Sequence, residues 1–260
     1  MVHMTTTGGR DMDAILEILK ATHPDEAPDP NESLRERKKR RVRQQISNTA
    51  TAMFLAHGFD NVTVARIAAE CEVSEQTVFN YFPTKESMFF DRSEAMINAV
   101  ADAVRERGSA SLVEAVVQSL GGGIHAGQSE ALDQAGQLRL FRLFCDVATE
   151  SPTLVAARFA DLPRFIDEVS SALAQRIGAD PIDPEVQLAT LIIAGLLRVR
   201  LQSTFHHVQQ ATSITALNDV VRRDILRAAQ LAEPSLTAFD NIRGTPKRDA
   251  GSRSGRAKRS

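Results

Sequence analysis

Apolar residues recur at intervals of three and four along most of the chain, which predicts helices rather than strands. The first long helix begins near Leu34 and ends before Gly58, a residue typical of a helix C-terminus. Short helices follow from Thr63 and Ser74, and a fourth helix is predicted from about Thr84 towards Arg107. The later predicted helices span 111–126, 131–149, 152–177, 184–208 and 213–232.

Local start and stop signals support several of these boundaries. Ser151-Pro152 and Asp183-Pro184 each place a capping residue before a proline at the first helical position. Three glycines, Gly121–Gly123, are expected to kink or end the helix predicted over 111–126. No segment alternates regularly enough to predict a strand, so the sequence indicates an all-α fold.

Both ends of the chain have the composition of flexible segments. Residues 1–30 contain Gly8-Gly9 and several prolines and are predicted to be a flexible N-terminal extension. A short amphipathic helix over Asp11–Lys20 is the alternative. Residues 234–260 are predicted to be a disordered tail, which is basic from Arg243 onwards.

The formal net charge of −2 conceals a separation of charge along the chain. Positive charge is concentrated in Arg35–Arg43 and in the C-terminal tail, whereas residues 93–242 carry a net charge of −6. The two cysteines are far apart, as expected for a reducing compartment. The longest uncharged apolar run, Leu188–Leu197, is shorter than the roughly 20 residues that a bilayer requires. These features predict a cytoplasmic protein without a membrane partner.

Sequence patterns that carry catalysis are missing. The chain has no nucleophile elbow, phosphate-binding loop, GxGxxG or HExxH pattern, and its six histidines show no ligand spacing. His206 and His207 are adjacent and therefore point to different sides of a helix. We accordingly expect no enzymatic activity, no metal and no cofactor.

Two short helices in succession each carry their own start signals. Thr63 is a predicted N-cap, with Val62 and Ile67 placed to form a hydrophobic staple. Ser74 repeats the arrangement with Val73 and Val78. Two capped helices joined by a tight turn predict a helix-turn-helix.

At these residues the chain resembles the tetracycline-repressor (TetR) family. The resemblance covers about residues 36–90, and the remaining two thirds match only in length and helical pattern. One departure is Glu72, where the family usually has glycine; a positive φ there would cost about 1–2 kcal/mol. The matching residues are Gly58-Phe59, Thr63-Val64, Ile67-Ala68, Val73-Ser74, Thr77 and Phe79–Glu86.

The resemblance implies a role in DNA binding for several side chains. The helix from Ser74 would enter the major groove, with Gln76 and Asn80 able to pair with adenine and Glu75 with cytosine. Lys85 would contact a DNA phosphate, and the basic run Arg35–Arg43 would contact the DNA backbone or minor groove. For both, an ordinary solvated surface is the alternative. The predicted DNA-binding residues are Arg41, Thr63, Glu75, Gln76, Thr77, Asn80, Tyr81 and Lys85.

The resemblance also implies the division of the chain. We expect a helix-turn-helix DNA-binding domain at 31–92 and a larger helical effector-binding and dimerisation domain at 93–233. The effector would be a small apolar or acyl-CoA-like molecule. Plain core packing is the alternative for each wall residue. Arg142 or Arg198 would neutralise an anionic ligand, and a structural pairing is the alternative for each of them. The predicted effector-binding residues are Phe141, Arg142, Phe144, Cys145, Phe159, Phe165 and Ile193.

A homodimer is expected because the helix over 184–208 is apolar on nearly all sides, so that one face requires a partner. The predicted interface residues are Leu188, Ile192, Leu196, Val220 and Leu226. Together these features predict a dimeric repressor that a small effector releases from a palindromic site on double-stranded DNA. The alternatives are an activator, or an architectural DNA-binding protein without an effector.

Overall fold

The computed structural model describes residues 11–22, 33–91, 93–123 and 132–242. Within these ranges the secondary structure is entirely helical, as the sequence predicts. The helices are α1 Met12–Thr22, α2 Leu34–His57, α3 Val64–Glu70, α4 Glu75–Tyr81, α5 Lys85–Phe89, α6 Ser93–Glu106, α7 Leu112–Gly121, α8 Gln134–Glu150, α9 Pro152–Ala157, α10 Leu162–Ile177, α11 Pro184–His207 and α12 Ile214–Asp240.

The helices enclose two hydrophobic cores. The first lies among α1–α5, which we call the head, and it also takes in buried residues from the end of α8 and from α9. The second lies among α6–α12, which we call the body. In the body, α11 packs against α12, α10 and α7, and α6 packs against α10 and α7.

The N-terminal extension is folded over part of its length. Helix α1 packs on α2 and buries Ile15 and Leu19 in the head core. The amphipathic helix that the sequence offered as an alternative is therefore correct, and a fully flexible extension is wrong for Met12–Thr22. The rest of 1–30 lies outside the described residues.

The predicted fourth helix is two helices. It is interrupted between Phe89 and Ser93, a break that no glycine or proline signals. At the break, Asp91 forms an ion pair with Arg43 of α2, and Phe90 contacts the ring of Phe89 edge-on at 5.1 Å. We attribute the break to the ion pair with α2, a tertiary contact that local sequence does not reveal.

The helix predicted over 152–177 is also divided, into α9 and α10. Pro163 lies in the first turn of α10 and has no backbone N–H to continue a helix from Phe159. The backbone N–H of Leu162 instead donates to the Phe159 carbonyl at 3.0 Å, which closes a turn. By contrast, α7 ends at Gly121, as the three glycines predict.

Helix α12 continues eight residues beyond the predicted end, passing through Pro234. Leu236 and Phe239 are buried in the body core, and their burial offsets the backbone hydrogen bond that the proline removes. Asp240 accepts a hydrogen bond from the Leu112 backbone N–H at 2.8 Å and forms an ion pair with Arg107. Residues 234–240 thus belong to the body rather than the tail, and the basic residues from 243 lie outside the described ranges.

Helix α11 is long and apolar enough, by length and composition, to cross a lipid bilayer. The uncharged run Leu188–Leu197 is too short to cross a bilayer by itself, but the whole helix of 24 residues is long enough and contains few charged residues. Its buried residues include Val186, Ile193 and Leu197, which lie in the body core. Its packing against three other helices accounts for the apolar residues on its inner side.

The turn between α3 and α4 places Glu72 at φ 56°, within the left-handed region that was predicted to be costly. We expect Glu72→Gly to raise the free energy of unfolding by about 0.5–1 kcal/mol, because glycine occupies this region without a Cβ clash. Glu70→Gly, the same change at the last residue of α3, should lower it by about 1 kcal/mol. Chemical denaturation measures both variants, and a destabilised Glu72→Gly protein would contradict the assignment of strain to this residue.

Candidate DNA-binding surface and adjoining cavity

The two short helices of the head begin with the predicted caps. The Thr63 hydroxyl accepts a hydrogen bond from the Arg66 backbone N–H at 3.2 Å, and the Ser74 hydroxyl accepts one from the Thr77 N–H at 3.0 Å. The staple residues Val62, Ile67 and Val78 are buried in the head core. Local sequence signals therefore fix where each helix starts.

A tight turn sets the relation between α3 and α4. The Val73 backbone N–H donates to the Ala68 carbonyl at 3.0 Å, and the Glu72 N–H donates to the Ala69 carbonyl at 3.1 Å. Ala68 and Cys71 are buried where the turn folds back on the head core. Small side chains here allow α3 and α4 to pack closely as a helix-turn-helix.

Helix α4 presents its polar side to solvent. Glu75, Gln76 and Asn80 are exposed, whereas Val78 on the opposite side is buried. The Gln76 side-chain amide donates to the Asn80 side-chain oxygen at 3.1 Å, so the two side chains lie next to each other. Such a pair of amides provides both donors and acceptors to a base edge in the major groove.

Phe79 was missed as a candidate residue by the sequence analysis. Its ring is 43% exposed, although Phe is a residue that the core usually takes. On a helical projection of α4, Phe79 falls on the same side as Glu75, Gln76 and Asn80. This helical projection was the signal in the sequence that could have identified an apolar group on the exposed face of α4.

The hydroxyl-bearing candidates have different environments. Thr63 is exposed, while Thr77 and Tyr81 are half-buried. The Thr77 hydroxyl lies 2.8 Å from the Ser74 hydroxyl and is therefore tied to the helix cap. Thr63 and Ser74 both lie at the starts of their helices, where phosphate groups are commonly bound.

Lys85 is bound to the rest of the head. Its ammonium donates to the carbonyls of Phe59 and Val62, at 3.1 Å each, and lies 4.0 Å from the centre of the Phe59 ring. These contacts hold the turn that precedes Thr63. Two of the three ammonium N–H groups are thus engaged inside the protein, which the sequence analysis did not foresee.

The basic run lies on the N-terminal half of α2. Arg41 is exposed, and Arg43 is half-buried, with its guanidinium 4.8 Å from the centre of the Phe82 ring. Since Phe82 ends α4 and Asp91 lies between α5 and α6, Arg43 joins three parts of the protein.

A cavity of about 330 Å³ lies where the head meets the body. Its wall is formed by residues of α1, α2, α5, α6, α8, α10 and α11 and of the segments between them. Four predicted effector residues, Phe141, Phe144, Phe159 and Phe165, lie on this wall. Among the others are Leu19, Asn48, Phe89, Phe90, Asp91, Arg158, Asp161, Arg200 and Phe205.

Three predicted effector residues are absent from the wall. The Arg142 guanidinium donates to the carbonyls of Val208, Gln209 and Ala211, and so satisfies the end of α11. Cys145 and Ile193 are buried in the body core. For these three residues the structural alternative accounts for the position, and the cavity instead has Arg158 and Arg200.

Helices α8 and α9 connect the cavity wall to the head. Phe141 and Phe144 of α8 line the cavity, and Leu154 of α9 is buried in the head core. The Ser151 hydroxyl, between the two helices, donates to the Asp60 carboxylate at 3.0 Å. Asp60 belongs to the same turn that Lys85 holds, so one continuous set of contacts runs from the cavity to the start of α3.

The outer side of α11 carries exposed apolar residues. Leu188 and Leu191 are 57% and 56% exposed, and a Cβ on Gly195 would meet no atom within 4 Å. Leu226 of α12 is also exposed. Leu196 is 3% exposed, so its assignment to an interface is wrong. Ile192 and Val220 are partly buried against the body core.

The described part of the chain contains no group of three or more His, Cys, Asp or Glu residues placed to hold a metal ion. Both cysteines are buried as free thiols. Burial raises the pKa of Cys145 to about 12, with a further contribution from Asp146, so this thiol is neutral and unreactive at ordinary pH.

Comparison with known proteins places these features in a family. Residues 46–91, from within α2 to the break after α5, match the model for bacterial regulatory proteins of the tetR family. The transcriptional regulator TcmR of Streptomyces glaucescens, described as of the helix-turn-helix type, is 27% identical over 189 residues, which are 71% of this chain and 81% of that protein. A crystal structure described as a TetR-family regulator from Mesorhizobium loti covers 80% of this chain and 99% of its own, at 20% identity and a TM-score of 0.38. The matched residues contain the capped helix pair and its exposed polar side, so residues 46–91 carry a DNA-binding helix-turn-helix similar to that of bacterial regulatory proteins of the tetR family.

Proposed function

We propose that the protein is a cytoplasmic, nucleoid-associated dimeric repressor, which binds a palindromic operator and is released from it by a small molecule. The observation that carries the sequence-specific part is the row of exposed side chains on α4: Gln76 and Asn80 lie side by side, with Phe79 next to them on the same face. Amides discriminate among base edges, and an exposed aromatic ring suits the methyl group of thymine. Thr63 and Arg41 would contact the phosphate backbone.

The set of contacts between the cavity and the head supports release by a ligand. A molecule in the cavity would touch Phe144 of α8, which is stacked on Phe89 of α5 with ring centres 4.3 Å apart. Any ligand that fits better with α8 and α9 displaced would also displace Asp60 and the start of α3. DNA and ligand would then weaken each other's binding by the same factor.

An architectural role is the weaker alternative. A protein that coats DNA needs a broad basic surface, whereas residues 93–242 carry a net charge of −6. Activation and repression use the same DNA-binding surface. We favour repression because the proposed ligand opposes the DNA-binding arrangement of the head.

The function is tested by selecting genomic DNA fragments with purified protein. We expect the wild-type protein to enrich one palindrome, and Gln76→Ala to lose about 1–3 kcal/mol of discrimination at one base pair in each half-site. Gln118→Ala, which removes an exposed glutamine from α7 of the body, is the matched control and should select the wild-type sequence. Fragments without any common palindrome would argue for the architectural alternative.

A second experiment separates phosphate contact from support of the fold. We expect Arg41→Ala and Lys85→Ala each to weaken binding to all sequences and to lower the salt dependence of log K by about 1, as loss of one phosphate contact does. Because Lys85 also holds two carbonyls, Lys85→Ala should in addition lower the thermal unfolding midpoint. If Lys85→Ala unfolds earlier but keeps the wild-type salt dependence, the lysine supports the turn alone.

The proposed dimer uses the outer side of α11. Leu188, Leu191 and Gly195 are spaced by three and four residues and so form one stripe along the helix. A stripe of this kind suits a second copy of the same helix, and the glycine allows the two backbones to approach closely. Two DNA-reading heads would then face half-sites about one helical turn apart, 34–36 Å.

Gly195→Leu tests this interface without removing any contact within the protomer. A Cβ at Gly195 meets open space, and leucine favours a helix by about 1 kcal/mol relative to glycine. We therefore expect a folded protomer that fails to dimerise at micromolar concentration and binds the palindrome more weakly. Gly178→Leu would not serve as a control because Gly178 has φ 68°, so Gln118→Leu, which adds a leucine at an exposed site of α7, is used instead and should remain dimeric. Light scattering that finds Gly195→Leu dimeric would place the interface elsewhere.

A further inference from the structure

Arg158 lies on the cavity wall without a polar partner for part of its guanidinium. It stacks on the Phe205 ring at 3.9 Å, and its Nε atom is buried and makes no hydrogen bond in the described structure. A buried donor without an acceptor is costly, since it has lost water and gained nothing in return. Arg158 therefore places on the cavity wall a positively charged guanidinium that no described residue pairs with.

The groups around Arg158 do not neutralise it. Cys145 is the nearby titratable group, and its raised pKa keeps the thiol uncharged. Of the two carboxylates on the wall, Asp91 is paired with Arg43, and Asp161 is exposed to solvent. No acidic side chain among the described residues forms an ion pair with Arg158.

Arg200 adds a second positive charge to the wall. Its Nε donates to the Leu120 carbonyl at 2.8 Å, and its other recorded polar contact is the Met96 sulfur at 3.3 Å, a weak acceptor. Burial lowers the pKa of Arg200, which is the expected direction for a desolvated cation. The wall thus has two arginines and no carboxylate that is both buried and unpaired.

Aromatic rings make up much of the remaining wall. Phe89 and Phe144 are nearly parallel, with 13° between their planes, and Phe141 and Phe144 are parallel within 10°. Aromatic groups pack on one another in offset or edge-on arrangements, so a flat aromatic molecule can pack against these rings. The volume of about 330 Å³ lies at the lower end of the range for small-molecule sites.

We propose that the cavity takes an aromatic molecule that carries an anionic oxygen, with the rings against Phe89, Phe141 and Phe144 and the oxygen bound by Arg158. This inference rests on the ligand-release function proposed above and specifies its ligand class. The oxygen accepts from the terminal N–H groups of the guanidinium, for which the described structure gives no hydrogen bond or ion pair, and the rings occupy the apolar remainder of the cavity. An uncharged aromatic molecule gains only the packing of its rings in the apolar part of the cavity.

The test compares two fluorescent probes that share one ring system, anilinonaphthalene sulfonate, which is anionic, and N-phenylnaphthylamine, which is neutral. The full-length protein is titrated with each probe, and affinity and stoichiometry are measured. In Arg158→Met, which keeps an unbranched side chain beside Phe205, we expect the sulfonate to bind about tenfold or more weakly, the loss of one charge-assisted hydrogen bond. The neutral probe should change by less than about twofold, since its contacts with the rings remain.

Arg198→Met is the matched control. Its guanidinium is exposed and lies 6.0 Å from the Phe159 ring, outside the cavity wall. Both probes should bind this variant as they bind the wild-type protein, with one molecule per chain. Arg158→Lys retains the charge without Nε and should bind the sulfonate with intermediate affinity, which keeps the test valid if Arg158→Met is unstable.

Two results would overturn the ligand class. The first is that Arg158→Met weakens binding of the neutral probe as much as binding of the sulfonate. The second is that Arg198→Met weakens binding of the sulfonate as much as Arg158→Met does. Release of labelled operator by the same probes tests the function separately. Neutral and anionic probes that both release the operator, with no dependence on Arg158, would leave ligand release intact and reject the anionic class. An Arg158-dependent probe that leaves operator affinity unchanged would support the class and reject release.

Discussion

The arrangement of this protein depends on apolar contacts that α8 and α9 make inside the head. Val147, Ala148 and Leu154 come from the second half of the chain, yet they are buried in the same core as Phe54, Ile67 and Val78. Burying such side chains contributes about 1.5–3 kcal/mol each for the larger ones, and a well-packed core resists gradual deformation. The head is therefore not a separate unit on a flexible tether, and its position follows α8 and α9.

Polar contacts also connect the head with the cavity and with α8 and α9. Arg43 contacts the ring at the end of α4 and pairs with Asp91 on the cavity wall, while the Ser151 hydroxyl reaches Asp60 in the turn before α3. Hydrogen bonds and ion pairs of this kind are directional, so they fix the relative orientation of the elements that they join. Together they define one arrangement of α3 and α4 relative to the cavity, and this is the condition that a dimer reading two half-sites requires.

The sequence predicted those features that depend on neighbouring residues. Both caps of the helix-turn-helix and the stop at Gly121 depend on local sequence and were predicted correctly, and the family's usual glycine drew attention to the turn position where Glu72 has a positive φ. The breaks after Phe89 and after Ala157 and the continuation past Pro234 were missed because distant contacts decide them. The phenylalanines of the cavity could be chosen from composition, but the arginines could not. Whether a guanidinium is used by carbonyls, as in Arg142, or left unpartnered at Nε, as in Arg158, depends on the folded backbone.

Helix α1 lines the cavity through Leu19 while being anchored on α2 by Ile15. It precedes the residues that match the family model and contributes no side chain to the reading face of α4. Replacing Leu19 by a smaller or larger apolar residue would change the shape of the cavity without altering any side chain on the exposed face of α4. Under the proposed function, the N-terminal helix is therefore a segment in which substitutions can change ligand preference while the residues proposed to contact DNA stay the same.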